Sequence, residues 1–334
     1  AKGLDFSLGG KLEFEYVDNK AEGKNGHFDL DVVELYPKAV TKSGIIFKAE
    51  IVGDQDKTII EEAHVTFPDL LPGKTWLKIG KEDRFIKRSR KTETYPIAGT
   101  QFWRDDVEGI WLHGGTGGLY WDVSFTNSYA LSTKSTTEET ITDATATKDI
   151  VVLHDNRANG DGDSKKEAGI GLGYKYKTDS HDMDLRVFYY DGKVGGTTGV
   201  ADLAINPTDD RDMLGGRISC IHGKFTLVAE YIDASYGNFD TSVWYVEPSF
   251  KNSVEGFKYL KGYELVLRYN ESDPDVGKDP LKPLTWGLKQ TTIAFIALLD
   301  KTVKFKLEYN IVDESNGGAE VDNNEVVAQL QFKF

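Results

Sequence analysis

From the first residues onward, apolar and polar side chains alternate with a period of two. Leu4, Phe6, Leu8, Leu12, Phe14 and Tyr16 interleave with Asp5, Ser7, Lys11, Glu13 and Glu15, so an extended segment here has one oily face and one charged face. The pattern holds for about thirteen residues, well beyond the five or six usual in a globular strand. The last segment repeats the design: Val326, Ala328, Leu330, Phe332 and Phe334 alternate with Val327, Gln329, Gln331 and Lys333. Two terminal strands that each need a partner are satisfied by closing on one another.

Between them the stripe recurs. Ile45, Phe47, Ala49 and Ile51 face away from Lys48 and Glu50, and Ala63, Val65 and Phe67 from Glu62, His64 and Thr66. Leu119, Trp121, Val123 and Phe125 oppose Tyr120, Asp122, Ser124 and Thr126; Ile170, Leu172, Tyr174 and Tyr176 oppose Gly171, Gly173, Lys175 and Lys177. The same pattern marks segments around Leu185, Leu214, Leu227, Leu267 and Leu307. Weaker candidates at 28–40, 75–81, 107–113, 243–250 and 288–298 bring the expected total to about sixteen strands. Short turns are expected at Thr41 to Gly44, Pro68 to Lys74, Gly114 to Gly118, Thr178 to Asp182, His222 to Lys224 and Leu299 to Thr302. Longer polar segments, 82–106, 128–167, 191–212 and 271–286, alternate with them. Turns short on one side and loops long on the other are the pattern of a bacterial outer-membrane barrel. Aromatic residues at strand ends (Tyr16, Phe67, Tyr176, Tyr189, Tyr231, Tyr269, Tyr309 and Phe334) suit interfacial girdles. The expected fold is therefore all-β: one transmembrane antiparallel β-barrel spanning 1–334, with no linker dividing it.

Composition changes this picture little. With 34 Gly, 9 Pro and 2 Met the chain suits many strands broken by turns more than a helical bundle. The densest apolar run, Ile293 to Leu299, falls far short of the ~18 residues of a membrane-spanning helix, but barrel strands need apolar residues only at alternate positions. A net charge of −14 excludes a general nucleic-acid binder, which needs a basic surface. Cys220 has no disulfide partner and reads as a small apolar strand residue. The start at Ala1 fits a secreted precursor whose signal peptide has been removed. The polar segment Ser132 to Lys148 reads as external loop. Asn159-Gly160-Asp161-Gly162-Asp163 is half of a calcium loop whose closing acid is replaced by Ile170, so an ordinary solvated turn is the stronger reading.

The stretches SLGGKLEFEY, LKIGKEDRFIK followed by VEGIWLHG, GYELVLRYNESD and the ending VVAQLQFKF resemble the phosphate-selective porin family of outer-membrane channels. The resemblance implies a sixteen-stranded barrel, commonly a homotrimer, with the third external loop folded into the lumen as a cationic constriction that selects anions. The matching loop, 82–106, carries Arg84, Lys87, Arg88, Arg90, Lys91 and Arg104 and ends in Tyr95-Pro96-Ile97-Ala98-Gly99, residues suited to packing inside a barrel. Lys11, Lys48 and Lys78 face the same lumen and would complete the field. Two alternatives stand beside this. The basic run Lys87 to Lys91 would also suit a solvated external face that touches lipopolysaccharide phosphates. The three wall lysines would equally pair with Glu13, Glu50 and Glu62. Asp5, Glu13, Glu15, Glu50, Glu62, Asp122 and Glu230 also point inward, so the wall is not a purely basic ladder.

No GxSxG, HExxH or phosphate-binding glycine loop occurs, and the six His (27, 64, 113, 154, 181 and 222) are scattered without ligand spacing. The chemistry expected is therefore not enzymatic, with no cofactor and no metal. It is passive diffusion of small polar or anionic solutes. A scaffold barrel, a specific-ligand channel and a soluble β-rich binding protein are the alternatives.

Overall fold

The computed structural model describes residues 3–19, 24–53, 57–103, 106–135, 142–143, 146–147, 151–156, 165–194, 197–198, 210–237, 239–275, 287–315 and 324–334. Arg104, the segment 159–163 and most of 132–148 lie outside them. Among the described residues sixteen strands form one closed antiparallel sheet. They are β1 (Leu4–Asn19), β2 (Lys24–Thr41), β3 (Ile46–Gly53), β4 (Thr58–Pro68), β5 (Trp76–Asp83), β6 (Asp106–Thr116), β7 (Leu119–Asn127) and β8 (Lys166–Lys177). The second half comprises β9 (His181–Lys193), β10 (Asp210–His222), β11 (Phe225–Tyr236), β12 (Phe239–Ser253), β13 (Gly262–Asp275), β14 (Gly287–Leu298), β15 (Val303–Ser315) and β16 (Glu325–Lys333). Each strand pairs with its sequence neighbours, and β16 closes on β1 with Phe14 opposite Leu330 and Lys11 opposite Lys333. Mutual backbone bonds between Gly10 and Phe334, at 2.9 and 3.1 Å, seal the last residue into the seam.

Seven turns lie at one end: 42–45, 69–75, 117–118, 178–180, 223–224, 254–261 and 299–302. The tightest uses Gly117 and Gly118 at φ +57° and +93°, the left-handed pair that a two-residue hairpin with native twist requires. At the other end the expected alternation of loop length is only partly present. Segments 84–105, 128–165, 194–209, 276–286 and 316–324 are long, but 20–23, 54–57 and 237–238 are brief. At the first of these the strands themselves do the extending, since β1 and β2 run 16 and 18 residues.

The period-two pattern sorts the side chains as expected on the outside. Phe14, Val123, Leu172, Leu227, Leu267 and Leu307 are 42–55% exposed on the outer face, a continuous apolar surface that water would not tolerate. Rings cluster toward both rims: Tyr16 against Phe28 and Trp244 against Tyr269 toward one, Phe225 against Phe250 toward the turn end. No helix among the described residues is long and apolar enough to cross a membrane.

Inside, the pattern departs from a uniformly polar wall. Phe188, Met213, Val228, Ile232, Ala234, Val243 and Tyr245, all inward, form one buried apolar cluster with Ile86, Ile97, Ala98, Phe102 and Trp103. The last four belong to or flank a short helix, α1 (Ile97–Phe102). Apolar side chains are stable on a lumenal wall because another part of the chain covers them.

Candidate functional site

The segment from Arg84 to Trp103 follows β5 and lies against the inner faces of strands far from it in sequence. Three wall groups grip its start, two through the backbone and one through a side chain. Arg186 on β9 donates to the carbonyl of Phe85, Arg217 on β10 donates to that of Ile86 at 2.7 Å, and the Phe85 ring stacks on Tyr190 with centroids 4.9 Å apart. Bare backbone on β8 makes room: a Cβ at Gly171 would lie 2.8 Å from the Phe85 ring, and one at Gly173 only 2.0 Å from that of Tyr120. Farther along, Arg268 on β13 donates to Thr92 Oγ1 at 2.7 Å and to the Thr94 carbonyl at 2.8 Å. The Glu308 carboxylate on β15 accepts from the backbone N–H groups of Glu93 and Thr94. Asn310 donates to Thr94 Oγ1 at 2.7 Å, and Asn270 accepts from the Ile97 N–H at 3.2 Å, leading the chain into α1. Buried backbone polar groups must find partners, and here the wall supplies them.

Arg104 aside, the cations singled out in the sequence are each placed in an ion pair. Arg84 is fully buried: it forks onto Glu167 of β8 at 2.8 and 2.6 Å, bonds Asp155, donates to the Phe102 carbonyl at 2.6 Å and stacks 3.8 Å over Tyr129. Burial opposes its charge, but Glu167 and Asp155 outweigh it and hold the guanidinium firmly protonated. Arg211 on β10 shares Asp155 from the other side. This cluster ties the inner segment to an outer one, and no solute can reach it. Arg88 pairs with Glu247 at 3.3 Å and donates to Tyr245 at 3.0 Å; Lys91 pairs with Glu264 at 2.5 Å. Lys87 pairs with Asp83 at 2.5 Å, and although burial works against it, Asp83 keeps its ammonium above the ordinary lysine range. Arg90 pairs with Glu93 while lying 4.2 Å over the Tyr95 ring. On the wall Lys11 bridges Glu13 and Glu34 at 2.7 and 2.6 Å, Lys48 holds Glu62 at 2.5 Å, and Lys78 holds Glu82. Glu13 is the partner expected for Lys11, whereas Lys48 takes Glu62 in place of Glu50 and Lys78 takes Glu82 in place of Glu62.

Carboxylates dominate what is left. Lys87, Arg90 and Glu93 look across at β1 to β5, where Glu13, Asp31, Glu34, Glu50, Glu62 and Glu82 face Lys11, Lys48 and Lys78. Two irregularities add to the acid count. A register shift between Glu13 and Phe14 leaves Asp31 as an extra residue on β2 and brings its carboxylate to within 4.8 Å of those of Glu13 and Glu93; a second shift falls between Glu50 and Ile51. Among the described residues, no hydrogen bond or ion pair reaches Glu15, Asp31 or Glu50. A cavity of about 400 Å³ opens beneath the segment, bordered by Trp76, Lys78, Glu82, Lys87, Trp111 and Arg186. Sequence reading found the basic residues of the loop but not Arg186, Arg217, Arg268 and Glu308, which hold it. Their only signal was inward placement on a strand.

No family profile matches the chain, and no curated protein sequence matches it. Solved structures do share its fold. An anion-selective porin from Comamonas acidovorans aligns at 13% identity over 99% of this chain and 100% of its own, with a TM-score of 0.60. OprB of Pseudomonas putida aligns at 11% identity over 100% and 94%, TM-score 0.64. OmpT of Vibrio cholerae in its trimer form aligns at 11% identity over the whole of both chains, TM-score 0.60. The chain thus has the closed sixteen-strand architecture of outer-membrane porins.

Proposed function

We propose that the protein is an outer-membrane porin through which small hydrophilic solutes diffuse passively, narrowed by the segment 84–103. The observation that carries this reading is the combination of an apolar outer face with an inner segment held by wall side chains on one side of the lumen, facing a charged wall on the other. In the proposal the selectivity of the pore follows from the opposed wall. The cations of the inner segment are neutralised by their partners, while on the opposed wall Glu13, Asp31, Glu34, Glu62 and Glu82 outnumber Lys11, Lys48 and Lys78, so small cations and zwitterions pass more readily than free phosphate.

One observation favours the opposite preference. Lys251, Lys304, Lys306 and Lys333 gather on the inner face toward the turn end, where they repel one another, and a basic mouth would concentrate anions such as phosphate. The same experiment separates the two. In planar bilayers with a KCl gradient, the reversal potential should show cation preference, and Glu13→Gln with Asp31→Asn and Glu34→Gln should shift it toward anions. Anion preference that is insensitive to these changes but abolished by neutralising Lys251, Lys304 and Lys333 would establish the second reading. Absence of any conductance from folded protein would defeat the porin reading itself. A homotrimer is part of the proposal: the outer face of β2 to β4 has a groove lined by Ala39, Ala49 and Ala63 with Phe47 and Val65, small enough side chains for a neighbouring barrel to approach.

A further inference from the structure

We infer that Glu62, His64 and Glu82 form a binding site for a divalent transition-metal ion on the lumenal wall. Glu62 and His64 are two residues apart on β4 and so share its inner face. Glu82 reaches them from the adjacent strand β5, where His64 stands opposite Gly80. Gly80 adopts φ +142°, and a Cβ there would lie 2.3 Å from the Ala63 carbonyl oxygen and 2.9 Å from the His64 Cβ. Only glycine lets the two strands approach in this way.

One ligand atom from each of the three side chains lies within 4.8 Å of the others. His64 is only 7% exposed, and its Nδ1 sits 3.0 Å from Glu82 Oε2 without making a hydrogen bond. A buried imidazole nitrogen left unbonded at that distance is costly as a hydrogen-bonding group. It is placed as one of two neighbouring ligands of a shared ion would be. One imidazole nitrogen with two carboxylates is a donor set for zinc, cobalt or nickel, whereas calcium and magnesium prefer oxygen alone. Glu62 and Glu82 also border the 400 Å³ cavity, which gives the ion a route in.

Lys48 at 2.5 Å from Glu62, and Lys78 bonded to Glu82, are the ion-pair partners of the two carboxylates in the absence of metal. Binding exchanges these ammonium groups for the ion and releases both into the lumen. The exchange involves neither oxidation nor bond cleavage.

The test is calorimetric titration of the full chain, folded in detergent, with Zn2+, so it reads binding and not transport. A failure of the porin reading would leave it untouched. Saturable uptake of one Zn2+ per chain is expected, with Ca2+ far weaker. His64→Gln should weaken Zn2+ at least about tenfold, and Lys48→Met with Lys78→Met should strengthen it by removing the competitors. Circular dichroism of each variant checks that the barrel is retained. The proposal is overturned if the native chain takes up no Zn2+, if Ca2+ binds as well as Zn2+, or if folded His64→Gln binds undiminished.

Discussion

At the scale of single residues, Arg84 shows how a charge read as functional becomes architectural. Its guanidinium is 1% exposed and bonded to two carboxylates that are themselves buried. Removing one partner of such a cluster leaves uncompensated charge in a poor solvent, at about 3–5 kcal/mol. Arg84→Met is therefore expected to lower the stability of the folded barrel by that order, measured by denaturant unfolding in detergent. Lys87→Met, whose ammonium is partly exposed, should cost far less. Equal losses would mean that Arg84 is not the anchor. The sequence could show that Arg84 is basic and lies in a loop but not that Glu167 and Asp155, 83 and 71 residues away, close around it. The inward glycines of β8 were similarly visible as one half of an alternation, while the Phe85 and Tyr120 rings that require them came from the inner segment and from β7.

At the scale of the element, the inner segment is held by polar bonds to β9, β10, β13 and β15 and by the apolar cluster around α1. Glu93 is its most acid-sensitive member. Burial alone would raise its carboxyl, but Arg90 and Lys306 beside it hold it below the ordinary glutamate range. Because the folded value is the lower one, this contribution to docking is complete above the ordinary range and is lost as the pH falls through the folded value. The fluorescence of Trp103, buried at the end of the segment, should shift to the red on acidification below the ordinary glutamate range. Glu93→Gln should remove part of that dependence and leave the neutral spectrum in place; an unchanged acid profile would show that Glu93 does not govern release. The strands were legible because an oily face outside and a charged face inside impose a period of two. α1 was not, since six residues, Ile97–Phe102, are too few for a helical period to appear. Nor was the apolar inner wall of β10 to β12. Met213, Val228, Ile232 and Val243 interrupt the inward polar row only because the segment covers them. The register shift that adds Asp31 to the acidic cluster also leaves no mark in the alternation.

At the scale of the whole molecule, the outer surface decides the environment. Side chains such as Leu214 at 57%, Val187 at 58% and Ile170 at 58% exposure are arranged around a sheet with no open edge, and a closed sheet satisfies its backbone without water. If this surface faces hydrocarbon, the cost of a charge must depend on depth. Leu267 lies in mid-strand on β13, and Leu119 begins β7 next to the Gly117–Gly118 turn. Arginine at a bilayer midplane on such a barrel costs about 2–4 kcal/mol, falling to about 0–1 near the interface. Leu267→Arg is therefore expected to destabilise the protein in lipid vesicles by the larger amount and Leu119→Arg by the smaller. In detergent micelles, which thin and adapt around a charge, the gap between them should narrow. Val266, the inward neighbour of Leu267 and 3% exposed, gives the control. Arginine there enters a packed interior, so its cost should be the same in vesicles and micelles. Equal costs for Leu267→Arg and Leu119→Arg in vesicles would mean that the apolar belt does not lie across a bilayer, and the face would then have to be covered by protein.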